Sequence, residues 1–243
     1  MQRPIDVNTF FGFDRSRQRC YPLDDLLLLL ERHQVAQALT VCLRGAYYDF
    51  VSANEEVIAA ARAHPQLVPV ATIHPGRYLG CLEEVRRCIG EGVVAFRFFP
   101  DLQGWNPSEL HFLRIAEAIA EHGGRAILLP GGVAGWPTAI ARHLCHLPVT
   151  VVLLCVGYGL LGEAMAAMAA APNLACEGTM FDTPWVYETL CCEVGPHRIF
   201  FGSGLPARYF SSAYGMVQHA ELSDEERAAI LRGNAARLLG LEA

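Results

Sequence analysis

Short apolar runs alternate along this chain with stretches of helical period. The runs are Ile5–Asn8, Ala36–Leu43, Leu67–Ile73, Val93–Phe98, Arg125–Leu129, Val149–Cys155, Leu174–Glu177 and Arg198–Phe201, and each predicts a strand. Helical periodicity follows them in turn: Leu23–His33, Ser52–His64, Leu79–Gly90, Pro107–His122, Trp136–His146, Leu160–Ala170 and Pro184–Val194, with Ser223–Leu239 last. Runs such as Val149–Cys155 are apolar without alternation, the mark of a strand buried on both faces of a parallel sheet. Ser223-Asp-Glu-Glu226 is a capping box opening the last helix. Pro107 and Pro184, after Asn106 and Thr183, suit first-turn positions.

Eight strand–helix units in 243 residues predict an α/β fold, a (β/α)8 TIM barrel forming a single domain over residues 1–243. A doubly wound sheet is the alternative, but no G-x-G-x-x-G follows the first strand.

Composition narrows the chemistry. All 19 basic residues are arginine, so Schiff-base, phosphate-loop and metal-bridging lysines are excluded. The net charge of −6 argues against nucleic acid or an anionic membrane as partner. Hydrophobic residues reach 52%. The stretch Val149 to Ala171 carries one charge, Glu163, yet Gly157 and Gly159 interrupt it, which predicts a strand, a turn and a buried helix, not a membrane span. No secretory h-region opens the sequence. Nine cysteines at irregular spacing, with no CxxC, fit reduced thiols in a cytoplasmic protein.

Several segments then fall into a familiar order. Ile5-Asp6-Val7-Asn8-Thr9-Phe10-Phe11-Gly12 ends the first strand. Ala63-His64-Pro65, Val70-Ala71-Thr72-Ile73-His74-Pro75 and Gly92 to Pro100 follow. Glu193 to Pro206 reads E-V-G-P-H-R-I-F-F-G-S-G-L-P, and Gly233-Asn234-Ala235-Ala236-Arg237-Leu238 closes the series. The chain resembles the amidohydrolase-related (amidohydrolase 2) family of metal-dependent TIM-barrel hydrolases and decarboxylases. The resemblance implies an amidohydrolase-like barrel with its site at the C-terminal ends of the strands. It also places the family's metal ligands on Asn8, Phe10, Leu129, Cys155 and Gly204. Of these only Cys155 is a competent ligand type, and Asn8 a feeble one. The chain thus reads as a degenerate member with no metal and no other cofactor.

The remaining candidates come from strand ends and the loops after them. Glu177 and His74 are the acid–base candidates. Arg97, an arginine in an apolar strand, demands an anionic partner, either a ligand carboxylate or Glu177. Asn8, Arg208, Arg44 and Tyr47 complete the expected ligand-binding set. With Phe10, Leu129 and Cys155 on the floor, the mouth is expected to be apolar, with polarity at its rim. Trp105, Trp136 and Trp185 are expected near that face.

The expected function is binding of a small anionic or carboxylated molecule by a metal-free barrel, or service as an inactive subunit beside an active relative. The alternative is a metal-independent hydrolase, lactonase or lyase using Glu177 and His74. A second alternative is a conventional metal-dependent hydrolase. The apolar face Ala164–Ala171 suggests a homo-oligomer.

Overall fold

The computed structural model describes residues 3–47 and 49–241. Its strands are β1 (Ile5–Asp14), β2 (Arg19–Tyr21), β3 (Gln37–Cys42), β4 (Leu67–Ala71), β5 (Ala95–Arg97), β6 (Ala126–Pro130), β7 (Thr150–Leu154), β8 (Leu174–Glu177) and β9 (Ile199–Phe200). Its helices are α1 (Leu23–Arg32), α2 (Arg44–Tyr47), α3 (Phe50–Ala63), α4 (Cys81–Gly90), α5 (Pro100–Gln103), α6 (Leu110–Glu121), α7 (Trp136–Leu144), α8 (Leu161–Ala170), α9 (Val186–Val194), α10 (Phe210–His219), α11 (Asp224–Ala228) and α12 (Asn234–Leu239). A π-helical turn, Ala229–Gly233, joins the last two.

The strands form one sheet in the order β2-β1-β3-β4-β5-β6-β7-β8-β9. From β1 through β3 to β9 every pairing is parallel. The sheet then closes on itself. Val7 N–H donates to the Phe201 carbonyl at 2.9 Å, Gly204 N–H to the Asn8 carbonyl at 3.0 Å and Phe10 N–H to the Leu205 carbonyl at 3.2 Å. The predicted barrel is therefore present, with β1 and β3–β9 as its eight staves. Period-2 alternation divides the core into two shells. Val41, Leu128, Val152, Leu154 and Phe200 fill the barrel, while Phe96, Ile127, Leu129, Leu153 and Cys176 face the helices.

Differences from the sequence expectations have local causes. β1 runs on to Asp14, because Phe10 and Phe11 continue the parallel pairing with β3 and β2 then pairs antiparallel with Gly12–Asp14, which becomes a hairpin arm. The side chain of Asp14 closes the turn, accepting from the N–H and hydroxyl of Ser16. Neither Pro107 nor Pro184 starts a helix: α6 begins at Leu110, and α9 begins at Val186 after Trp185 in a left-handed conformation (φ 60°). The unpredicted α10 carries Ser211, Ser212 and Gly215, poor helix formers that packing of Phe210, Ala213 and Val217 overrides. The capping box of Ser223 and Glu226 is present in full.

Val149–Ala171 resolves into a strand, a turn and a helix, as expected, and no helix among the described residues is long and apolar enough to cross a membrane. Ala164, Ala167, Met168 and Ala171 are buried in this chain's own core. That apolar stretch is consumed within the subunit and gives no argument for an oligomer.

Candidate active site

The C-terminal ends of the strands surround a cleft of about 220 Å³. A bulge in β1 shapes its centre. The register with β3 shifts between Asp6 and Thr9, so two consecutive residues, Val7 and Asn8, both face inward. Val7 fills the barrel, and Asn8 lies at the cleft floor. Asp6 fixes this bulge from behind. Its fully buried carboxyl accepts from the N–H groups of Asn8 and Ser203, both at 3.0 Å, and from the Ser203 hydroxyl. Burial pushes the Asp6 carboxyl up to about 7, against those hydrogen bonds.

Arg97 ends β5 with the inward parity of Ala95, opposite to Phe96. Its Nη1 donates to Asn8 Oδ1 at 2.9 Å. The guanidinium lies 5.1 Å from the centre of the Phe99 ring and 6.0 Å from that of Phe10, within cation–π range. Burial lowers its pKa, but an arginine keeps its charge in a protein. Asn8 Nδ2 in turn donates to Thr179 Oγ1 at 2.9 Å and lies 3.8 Å from Cys155 Sγ. The Thr179 hydroxyl donates to Glu177 Oε2, and its backbone N–H reaches the same oxygen at 2.9 Å. Cys155 N–H donates to Glu177 Oε1 at 2.6 Å from a left-handed backbone (φ 56°). A hydrogen-bond chain thus runs Arg97–Asn8–Thr179–Glu177. No ion pair joins Arg97 to a carboxylate among the described residues.

This geometry corrects several expectations. The floor is crossed by polar groups, so polarity sits at the centre as well as at the rim. Glu177 is fully buried and absent from the cleft wall, and both its oxygens are already bonded. Gly202 seals it from behind, since a Cβ there would lie 1.9 Å from Oε2. Burial raises the Glu177 pKa, yet no substrate in the cleft can touch the acid. His74 is also outside the cleft. Its Nδ1 accepts from Gly76 N–H at 3.2 Å, capping a single turn, and burial followed by Arg77 lowers its pKa. Leu129 faces the helix layer, one position out of phase with the mouth; the neighbouring Leu128 points into the barrel.

Arg44 pairs with Glu56 at 2.8 Å on the exterior. Tyr47 does line the cleft, and its hydroxyl donates to Asp14 Oδ1 at 3.0 Å. Phe10, Cys155, Gly204 and Arg208 line it too. Burial, then Glu177, pushes the Cys155 thiol up to about 11, so it is a protonated wall and not a thiolate. Gly204 has φ +72°, and a Cβ there would sit 2.9 Å from both Arg208 Cδ and Thr179 Cγ2. The stem of Arg208 therefore covers that position, and its exposed guanidinium makes no hydrogen bond or ion pair among the described residues. Of the tryptophans, Trp105 packs in the core against Phe98 and Phe112, Trp136 packs at the core's edge, and Trp185 is exposed outside the cleft.

Thr179, Asp6 and Phe99 were not legible as site residues. An aspartate amid Ile5, Val7 and other apolar neighbours was the one signal that could have revealed Asp6.

A family model described as amidohydrolase matches residues 15–241. No curated protein matches the chain. Among solved structures, a 2,6-dihydroxybenzoate decarboxylase from Rhizobium superposes with a TM-score of 0.79 at 15% identity, covering 99% of each chain. A 5-carboxyvanillate decarboxylase from Sphingomonas paucimobilis gives 0.79 at 14% identity over 100% of each chain. A dihydroxybenzoic acid decarboxylase from Polaromonas, with bound manganese and the inhibitor 2-nitroresorcinol, gives 0.75 at 14% identity, covering 99% of this chain and 97% of the other. At these identities the likeness establishes the fold.

Proposed function

Because this chain belongs to the amidohydrolase family, its site is sought at the barrel mouth, and we propose that the mouth binds a small carboxylate-bearing molecule through Arg97 and Arg208 without a divalent metal. One observation carries this reading. Arg97 is partly buried and held by Asn8, Phe10 and Phe99, yet it has no carboxylate partner among the described residues. A guanidinium so placed has spare donors in the planar fork that a carboxylate matches. Arg208 adds a second cation at the rim. A related fold crystallised with 2,6-dihydroxybenzoate, itself a carboxylate, gives the reading further support.

The donors around the cleft do not fit a divalent ion. Asn8 Oδ1 is taken by Arg97, Cys155 is held as a thiol, Phe10 offers no donor, and Gly204 has no side chain. Both oxygens of Glu177 are bonded and out of reach, Asp14 is engaged by Ser16, Arg17 and Tyr47, Asp101 is exposed at the rim, and three arginines, Arg17, Arg97 and Arg208, oppose a further cation. The acid–base alternative loses support for a similar reason, because neither Glu177 nor His74 lines the cleft.

The test is calorimetric titration of benzoate into chelator-treated protein. Saturable binding is expected, weakened roughly tenfold to a hundredfold in Arg97→Leu, the range for losing a hydrogen-bonded charge. Binding that appears only when manganese or zinc is restored would sink the proposal.

A further inference from the structure

The opposite end of the barrel, where strands begin, is ordinarily a closed and stabilising face. Here it is open between β6 and β9, with a cavity of about 510 Å³. Three arginines from separate elements converge on it: Arg125 just before β6, Arg198 just before β9 and Arg237 in α12. No aspartate or glutamate lines the cavity among the described residues, and none of the three arginines forms an ion pair there.

Each of the three is placed differently. Arg198 is anchored, with Nε donating to the Val194 carbonyl at 3.0 Å and Nη1 to the Met168 carbonyl at 2.6 Å, so its charge is fixed at the wall. The Arg125 guanidinium lies on the backbone of Gly240, where a Cβ would meet Nη1 at 2.5 Å. Arg237 makes only a long contact of 3.5 Å, from Nη1 to Asn234 Oδ1. Behind these cations the wall is apolar, with Val149, Leu174 and Phe200 lining it. A multivalent oxyanion seated in this cavity meets several guanidinium donors at once, with no carboxylate among the described lining residues to oppose it.

We propose that this cavity is a second ligand site, for a phosphorylated small molecule. Its phosphate lies between Arg125 and Arg237 with Arg198 behind, and its uncharged part rests against Val149, Leu174 and Phe200. The site is independent of the barrel mouth.

The experiment titrates phenyl phosphate, inorganic phosphate and phenol into the full chain by calorimetry. Phenyl phosphate is expected to bind best, at least roughly tenfold more weakly in the Arg125→Ala/Arg237→Ala variant, and unchanged in Arg97→Leu. Both altered arginines are exposed and form no ion pair among the described residues, so the variant is expected to keep the wild-type melting temperature, which the same samples report. In the wild type, phenyl phosphate raises that temperature, and in the double variant it does not. Three outcomes overturn the proposal: no binding at millimolar phenyl phosphate, undiminished binding in the double variant, or loss of binding in Arg97→Leu. Equal affinity for inorganic and phenyl phosphate overturns the assignment of the apolar wall.

Discussion

Arg97 and Glu177 are opposite charges at the centre of the same barrel, yet they meet only through Asn8 and Thr179. A direct pair would have neutralised the arginine. The relay instead fixes the guanidinium while leaving most of its donors unspent. It also keeps the carboxylate bonded in a place that a ligand in the cleft does not reach.

Asn8 is the middle link, and Asn8→Ala removes both sides of it. Arg97 then loses its one side-chain hydrogen bond among the described residues, while Thr179 loses a donor. Benzoate affinity is expected to fall by about 1 kcal/mol, and unfolding in urea to report a stability loss of about 1–3 kcal/mol from the buried groups left unpaired. Unchanged affinity would show that Arg97 does not depend on this anchor.

The folded-state pKa of Asp6 is raised from 3.8 to about 7. The folded chain therefore keeps a proton that the unfolded chain releases between those values. This contribution to stability is complete below pH 3.8 and is lost as pH rises through about 7. Glu177, also raised, acts in the same direction. In Asp6→Asn the Asp6 contribution to the slope is gone, so melting temperatures measured across this range are expected to change less with pH than those of the wild type.

Gly202 packs its backbone on the Glu177 carboxylate. Gly202→Ala would put a methyl group 1.9 Å from Oε2, and three hydrogen bonds prevent that group from stepping aside. A loss of about 3 kcal/mol is expected in denaturant unfolding, comparable to overpacking a core.

Gly204→Asp returns a carboxylate to the position that the family resemblance gives to a metal ligand. It also forces a Cβ to 2.9 Å from Thr179 Cγ2 and Arg208 Cδ, in a left-handed backbone. A destabilisation of roughly 1–3 kcal/mol is expected, and manganese or zinc is expected to leave the melting temperature of the variant unchanged. A metal-dependent rise would mean that this one residue is what separates the mouth from a metal site.

The barrel was legible because its strands carry unbroken apolar runs and its helices a clear period. Register and distance were not. Leu129 was read one residue out of phase, and in a strand a single step exchanges the two faces. The arm Gly12–Asp14 lies beyond the predicted strand Ile5–Asn8, because its pairing with Arg19–Tyr21 depends on a turn closed by the Asp14 side chain, with no glycine in that turn to announce it. Arg97 was recognisable as a cation in need of an anion. Its actual anchor, Asn8, lies 89 residues away, and Thr179 a further 171 from Asn8, separations that local pattern does not encode. His74 drew attention by its chemistry, but its ring is used within two residues to cap a turn.

The most direct test follows the Arg97 Nε–H resonance by NMR during titration with benzoate, the signal being assigned from its disappearance in Arg97→Leu. The account predicts that it shifts and saturates while the resonance of Arg44, held by Glu56, stays in place. An Arg97 signal that does not move while benzoate binds would contradict it.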